Sequence, residues 1–197
     1  TLNQIFRSNP FDSTTLINNN VYNSFQINDN GTFFKSNGGL DFYNYKNYSF
    51  KRITAESKPI HQISLDDNIV FTTENKGVYK YNPLNETLDN FRFDPRNPLS
   101  ISSSNFSENQ NDILHILQND SNNVNLLIGT TYGLNYFNIN NKTSKRYYQN
   151  QSENTLSSNY IYDIFQLKKS KAISKEYEDN FLISTDKGLS ILDLTTN

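Results

Sequence analysis

The sequence predicts an all-β fold, and three observations predict it. A short motif built around a glycine occurs four times, short apolar segments bounded by turn-forming residues recur around it, and no stretch has sustained helical periodicity. Hydrophobic residues make up 35% of the 197 positions and aromatic residues 14%. A disordered chain is poor in aromatic residues, so we expect a folded protein whose core is rich in Tyr and Phe.

The four copies of the motif align in one register. Each copy has Ser or Thr, a short polar turn, Gly, Leu or Val, two further residues, an aromatic residue or Leu, and then Asn or Asp. The copies cover 36–44, 73–82, 130–138 and 185–193, and their glycines at 39, 77, 133 and 188 are spaced by 38, 56 and 55 residues. Glycine permits a positive φ in the turn, and we expect the hydroxyls of Ser36, Thr73, Thr130 and Thr185 to hold that turn.

Each repeat is predicted to contain four strands, one of them directly after the glycine. The predicted inner strands are 21–26, 60–64, 113–118 and 161–166. The strands before the motif are 32–34, 69–72, 125–129 and 181–184, and the outer strands are 49–53, 88–93 and 144–148. Residues 168–178 are charged and lie between two strands, so we interpret them as a long hairpin loop with at most a helical turn.

The inner strands look apolar on both faces, as in 113–117, and burial on two faces predicts sheets stacked against one another. We therefore predict β-propeller blades of four antiparallel strands in a single domain over 1–197. The repeats fall at about 8–53, 54–93, 94–148 and 149–197, and residues 1–7 resemble an outer strand that completes the last repeat.

A polar segment leads into the inner strand in three repeats. Residues 12–20, 97–105 and 154–159 resemble one another, whereas the second repeat lacks such a segment and is shorter for that reason. We call these residues the leading segments.

Two stretches carry a resemblance to a known family. Residues 154–161 and 127–134 resemble the leading segment and the middle of the two-component regulator propeller repeat, and the resemblance extends over nearly the whole chain. The sequence departs from that repeat at Leu127, where the family usually has Trp, and its first two repeats are degenerate. The resemblance implies a seven-bladed propeller in the periplasmic or extracellular sensor region of a bacterial hybrid histidine kinase, where such propellers sense glycan fragments or act as scaffolds.

The two termini allow two interpretations. The strand predicted at 1–7 could close a four-bladed ring, which would remove free sheet edges. Alternatively, the chain is a segment of a larger propeller of about seven blades, which the absence of Met favours.

Charge and composition argue against several classes of partner. The net charge is −2, no cluster of Lys or Arg stands out, and no apolar run approaches the length of a membrane helix. We expect neither nucleic-acid binding nor membrane contact by this segment. Cysteine is absent, which excludes disulfides and thiolate metal sites.

The candidate binding residues lie in the loops before the inner strands and in the turns before the glycines, because those segments meet on one side of a propeller. Amide, cationic and aromatic side chains together suit an oligosaccharide or another small ligand. The candidates are Asn20, Asn37, Lys58, Asn75, Lys76, Asn111, Tyr132, Asn159, Asp186 and Lys187. The alternative is a structural propeller that binds protein partners, or other segments of the same protein, in a larger surface or virion assembly.

Catalysis has little support in the sequence. His61 and His115 are the only histidines, without the spacing of a metal site, and no phosphate-binding loop or nucleophile elbow occurs. We therefore expect no enzyme activity, no metal and no cofactor. An alignment of His115 with Ser24, Gln62 and Asp163 suggests that this polar position makes hydrogen bonds between repeats.

Overall fold

The computed structural model describes residues 4–9, 11–26, 29–55, 57–120, 123–152, 155–167 and 180–194. Within these residues, fifteen strands form four sheets in chain order, three of four strands and the last of three. The strands are β1 Val21–Phe25, β2 Gly31–Ser36, β3 Gly39–Asn44, β4 Ser49–Thr54, β5 Pro59–Leu65, β6 Asn68–Thr73, β7 Gly77–Asn82, β8 Thr87–Phe91, β9 Leu114–Asp120, β10 Asn123–Thr130, β11 Gly133–Asn138, β12 Thr143–Tyr147, β13 Ile161–Gln166, β14 Phe181–Thr185 and β15 Gly188–Leu192.

The all-β prediction is confirmed, and each strand predicted from residue 21 onward has a counterpart in the structure. Each sheet is a meander in which consecutive strands are neighbours and the glycine motif forms the hairpin between the second and third strands. No segment of the described chain forms a helix long and apolar enough to cross a bilayer. The hairpin loop predicted at 168–178 lies outside the described residues.

The glycine turns have the geometry that the motif predicts. Gly39, Gly77, Gly133 and Gly188 all have positive φ, between 86° and 147°. In each of the four turns, the hydroxyl of the motif Ser or Thr donates to the carbonyl oxygen of that turn's glycine. The distances run from 2.8 Å at Thr130 to 3.4 Å at Thr73. The motif therefore recurs because it closes the same hairpin in each sheet.

The burial of the inner strands differs from the prediction. In β1 four of five residues are exposed, and in β13 buried and exposed positions alternate irregularly. The second strands are the most buried, as in β10, where seven of eight residues are buried. The reason is topological, because the inner strand is an edge strand and the second strand has partners on both sides.

The leading segments are fixed to their own sheets by a polar side chain two residues after the motif glycine. The backbone N–H of Ile17 donates to Oδ2 of Asp41 at 2.8 Å, and that of Ser102 donates to Oδ1 of Asn135 at 2.7 Å. In the fourth sheet, the N–H of Ser157 donates to Oγ of Ser190 at 2.8 Å. The repeat of the second sheet has no leading segment. The residue at this position is Tyr79, whose ring stacks on that of Phe71.

The chain divides into two compact units, Thr1–Asn90 and Phe91–Asn197. The core of the first unit is aromatic, with Phe33 and Phe42 of the first sheet in the same cluster as Phe71 and Tyr81 of the second. Lys35 joins the same two sheets: its Nζ donates to the carbonyl oxygen of Ile60 at 2.7 Å. Burial lowers the pKa of Lys35 to about 8.

The second unit has an aliphatic core between its two sheets. Leu127 and Leu134 of the third sheet cluster with Ile164, Phe181 and Ile183 of the fourth. One face of the third sheet is therefore covered by one face of the fourth.

The opposite face of the fourth sheet is exposed. Phe165 pairs with Leu182, which pairs with Ile191, so the three side chains form one row across the sheet. Phe165 is 62% exposed, Ile191 55% and Leu189 66%. The residues equivalent to Leu189, each directly after a motif glycine, are all 0% exposed: Leu40, Val78 and Leu134.

The N-terminal segment carries no outer strand among its described residues. Residues 4–7 lack strand structure, and the nearby chain forms one isolated bridge between Ser8 and Leu16. Residues 1–3 of the strand predicted at 1–7 lie outside the described part of the chain, and the fourth sheet has three strands within it.

Candidate functional site

The candidate residues lie in loops that the structure brings together within each unit. We call the loops before the inner strands, together with the glycine turns, the loop face of a unit. Asn20, Asn37, Lys58, Asn75 and Lys76 belong to the loop face of the first unit. The loop face of the second unit contains Asn111, Tyr132, Asn159, Asp186 and Lys187.

In the first unit, each loop is bonded to the glycine turn of its own sheet. The N–H of Asn37 donates to the carbonyl oxygen of Asn20 at 3.4 Å, and that of Glu74 donates to the carbonyl oxygen of Lys58 at 3.0 Å. Lys58 thus lies beside the turn that contains Asn75 and Lys76.

A cation covers the one tyrosine of this loop face that lies on an inner strand. The ammonium of Lys58 lies over the ring of Tyr22, 4.8 Å from its centroid, and the Tyr22 hydroxyl donates to the carbonyl oxygen of Pro59. The adjacent turn contains a second cation, Lys76, and the exposed carboxylate of Glu74.

In the second unit, Asn159 connects three segments. Its carbonyl oxygen accepts the N–H of Gly133 at 2.6 Å, and its Oδ1 accepts the N–H of Gln149 at 2.7 Å. Tyr132, next to Gly133 in the turn, is therefore held close to Asn159. Asn111 lies at the same loop face, and its N–H donates to the carbonyl oxygen of Tyr162 at 2.7 Å.

Asp186 and Lys187 lie in the glycine turn between β14 and β15, and both are exposed. The turn is held by Thr185, whose hydroxyl accepts the N–H of Lys187 at 3.2 Å and lies 2.8 Å from Oγ of Ser157. Ser157 is two residues before Asn159, so this turn approaches the same loop.

Three tyrosines of the second unit's loop face were absent from the predicted site. The ring of Tyr148 lies 5.9 Å from that of Tyr132, and the rings of Tyr160 and Tyr162 are 5.0 Å apart. The available signal was the position of Tyr160 and Tyr162 directly after the predicted Asn159, at the start of an inner strand.

Comparison with solved structures matches this arrangement of sheets to extracellular domains of hybrid two component systems. The extracellular domain of the hybrid two component system BT4673 from B. thetaiotaomicron is 22% identical over 89% of this chain, with a TM-score of 0.55. That of BT3049 from B. thetaiotaomicron is 18% identical over 98% of the chain, with a TM-score of 0.53. The four sheets are propeller blades.

This chain spans 22% of the BT4673 chain and 23% of the BT3049 chain. A search of family models found no match, and a search of curated proteins found none either. The likeness therefore concerns the fold.

His115 joins the third and fourth blades, as the sequence predicted for this residue. Its Nε2 lies 2.7 Å from the carbonyl oxygen of Ile164 and 3.2 Å from that of Asp112. Both neighbours are acceptors, so Nε2 carries the proton and donates. Within the described residues, His, Cys, Asp and Glu side chains form no group of three that could hold a metal ion.

The predicted alignment of His115 was nevertheless wrong. His115 pairs with Leu127, three residues before the motif hydroxyl of Thr130. The residues at the same place in the other blades are Phe25, Ile63 and Phe165, and not Ser24, Gln62 and Asp163. Bulges in the inner strands, such as that between Ile161 and Asp163, shift the register of each blade separately.

Proposed function

We propose that this chain is part of a non-catalytic, ligand-binding propeller in the extracytoplasmic sensor region of a bacterial two-component signalling protein. The ligand is an oligosaccharide or another small molecule bound at the loop face. The observation that carries the proposal is the placement of exposed amide, cationic and aromatic side chains on hairpin turns that are themselves fixed by hydrogen bonds.

Rigid placement supports a binding role in physical terms. Side chains on turns that are already ordered lose less conformational freedom when a ligand binds, so more of the contact energy appears as affinity. The four motif turns are closed by the same hydroxyl contact, and the loops beside them are bonded to them. The likeness of the fold to extracellular domains of two component systems supports the extracytoplasmic sensor role.

The non-catalytic part of the proposal is supported by the state of His115. A general base must have a free nitrogen within reach of its substrate. The Nε2 of His115 is instead engaged with the carbonyl oxygen of Ile164 in the next blade.

The proposal also includes further blades, in a ring of about seven. The exposed face of the fourth blade supports this part, because the equivalent face of the third blade is covered by its successor. A further blade would bury Phe165, Leu189 and Ile191 in the same way.

Thermal unfolding in the presence of ligands tests the binding function. At a ligand concentration 100 times the Kd, stabilisation is about 2.7 kcal/mol, which raises the Tm of a chain of this size by about 5–10 °C. The panel contains neutral and anionic oligosaccharides, and the rise must depend on concentration. A panel without any shift would contradict the sensor proposal.

The structural alternative makes a different prediction. A scaffold propeller would form defined oligomers or complexes through its sides, while sugars leave its Tm unchanged. Size-exclusion chromatography with light scattering, combined with cross-linking, distinguishes the two roles.

A further inference from the structure

The loop face of the second unit contains four tyrosines from three segments of the chain. Tyr132 lies in the turn between β10 and β11, Tyr148 directly follows β12, Tyr160 directly precedes β13, and Tyr162 is the second residue of β13. We call these residues the tyrosine cluster.

Backbone hydrogen bonds fix the segments that carry the tyrosine cluster. The N–H of Gly133 donates to the carbonyl oxygen of Asn159 at 2.6 Å, which ties the turn of Tyr132 to the loop of Tyr160. The N–H of Tyr132 itself donates to Oγ1 of Thr130 at 3.0 Å. The positions of these rings are therefore set by the hairpin geometry of two blades.

The tyrosine cluster contains two partly buried rings and two exposed rings. Tyr148 and Tyr160 are partly buried, and each contacts one of the exposed rings. Tyr132 is 59% exposed and Tyr162 38% exposed. Two aromatic faces are thus available to a ligand and are backed by two further rings, so little side-chain freedom is lost on binding.

The surrounding groups select for charge. The side-chain amide of Asn111 and the Nδ2 of Asn159 make no hydrogen bond within the described part of the chain, so they can bind hydroxyl groups. The charged groups next to Asn111 and Tyr162 are carboxylates: the Asp112 side chain is 71% exposed, and Asp163 is adjacent. The exposed Lys187 also lies at this loop face, beside the exposed carboxylate of Asp186. Carboxylates at the edge of the site disfavour an anion.

The first unit provides an internal comparison. Tyr22 and Tyr162 are structurally equivalent, because each lies in the bulge between the first and third residues of its inner strand. The ammonium of Lys58 covers Tyr22, whereas Tyr162 contacts another tyrosine. Among the described residues, the tyrosine in this bulge is therefore covered by a cation in the first unit and by another tyrosine in the second.

We propose that the tyrosine cluster is the subsite for an uncharged oligosaccharide, which stacks on Tyr132 and Tyr162 and hydrogen-bonds to Asn111 and Asn159. The apolar C–H faces of neutral sugar rings pack on aromatic rings, and amides orient their hydroxyls. This inference rests on the ligand-binding function proposed above and adds to it the class of ligand and the residues that bind it.

Isothermal titration of the full chain with cellohexaose, xylohexaose and mannohexaose tests the inference, with heparin oligosaccharides and oligogalacturonate as anionic counterparts. The chain has no Trp, so tyrosine emission provides a second readout of the same binding. We expect at least one neutral hexasaccharide to bind. Tyr132→Ala and Tyr162→Ala should each weaken that binding about tenfold, while Tyr132→Phe and Tyr162→Phe should retain most of it.

Tyr48→Asn is the matched control, because Tyr48 is 76% exposed outside the cluster and its φ of 55° is one that Asn tolerates. It should bind as the wild type does. Circular dichroism of each variant separates lost binding from lost folding.

The outcomes separate this inference from the general proposal. If both alanine variants bind the neutral sugar as the wild type does, the tyrosine cluster is not the binding site. The proposed sensor function would still stand. Binding of the anionic probes alone would overturn the assignment to the tyrosine cluster in the same way and point to Lys58 and Lys76 at the loop face of the first unit. No binding by any probe would count against both.

Discussion

Gly129 of the third blade lies so close to Ile161 of the fourth that a Cβ atom on Gly129 would come within 2.7 Å of Ile161 Cγ2. The approach occurs beside the motif turn, where the N–H of Gly129 donates to the carbonyl oxygen of Ile113 at 3.0 Å. Glycine is therefore required here by the distance between two blades.

Gly129→Ala should destabilise the chain by about 1–3 kcal/mol, because the added methyl group overpacks the contact between the blades. Ile161→Ala in the same chain should relieve that clash. We expect a favourable coupling energy in the double-mutant cycle, measured by urea unfolding. Additive effects of the two substitutions would contradict the close approach.

Gly133 is constrained by its conformation as well as by its surroundings. Its φ is 113°, and a Cβ atom would lie 2.9 Å from the carbonyl oxygen of Tyr147 and from the Tyr148 ring. Gly133→Val should therefore cost about 3 kcal/mol or more.

Gly188 distinguishes the cost of backbone strain from the cost of steric crowding. Its φ is 136°, but the nearest atom to an added Cβ is Ser157 Cβ at 3.7 Å. Gly188→Ala should cost only the conformational strain of about 1–3 kcal/mol, and less than Gly133→Ala. Equal losses in thermal unfolding would show that crowding at Gly133 is unimportant.

Asp41 should make the stability of the first blade depend on pH. Burial raises the pKa of Asp41 to about 6, although the N–H of Ile17 and the charge of Arg52 act in the opposite direction. The folded state therefore binds the proton more tightly than the unfolded state, whose carboxyl has a pKa of 3.8. This contribution is fully present below the unfolded pKa and is lost as the pH rises through about 6, a change of at most about 3 kcal/mol.

Asp41→Asn is the matched test, because the equivalent residue of the third blade is Asn135, which accepts an N–H in the same way. Urea unfolding between pH 4 and 7 should show that wild-type stability falls relative to that of the variant. Parallel curves for the two proteins would contradict the raised pKa.

The two leucines that follow Gly133 and Gly188 should respond differently to the same substitution. Leu134 is 0% exposed and lies in the core between blades, whereas Leu189 is 66% exposed. Leu134→Ser should cost about 3–5 kcal/mol, and Leu189→Ser should change the stability by no more than about 0.5 kcal/mol. A large loss at Leu189 in urea unfolding would mean that its face is covered in solution.

The strands and turns could be predicted from the sequence because their causes are local. A glycine with positive φ and a hydroxyl three or four residues before it determine each hairpin, and both are visible in the repeat. Burial could not be predicted in the same way. The apolar residues Val21 and Tyr22 lie on an edge strand and are 37% and 42% exposed, since their environment depends on neighbouring sheets.

The candidate site was predicted in part. Tyr132 and Asn159 were predicted, and a hydrogen bond from the neighbouring Gly133 brings their loops together. Tyr148 and Tyr162 were missed because they approach the site from different blades, Tyr148 after the last strand of the third and Tyr162 from the first strand of the fourth. The register of each inner strand depends on its bulge, which leaves no mark in the residue pattern.

The contact between a leading segment and its own blade constrains how such a chain can change in length over evolution. If the segment before β9 were deleted, the amide of Asn135 would remain buried and would lose the N–H and the hydroxyl of Ser102. A shortened repeat is therefore viable only if that residue becomes one that does not depend on the leading segment for its contacts. The second repeat, which lacks the segment, has Tyr79 at this position, and its ring stacks on Phe71.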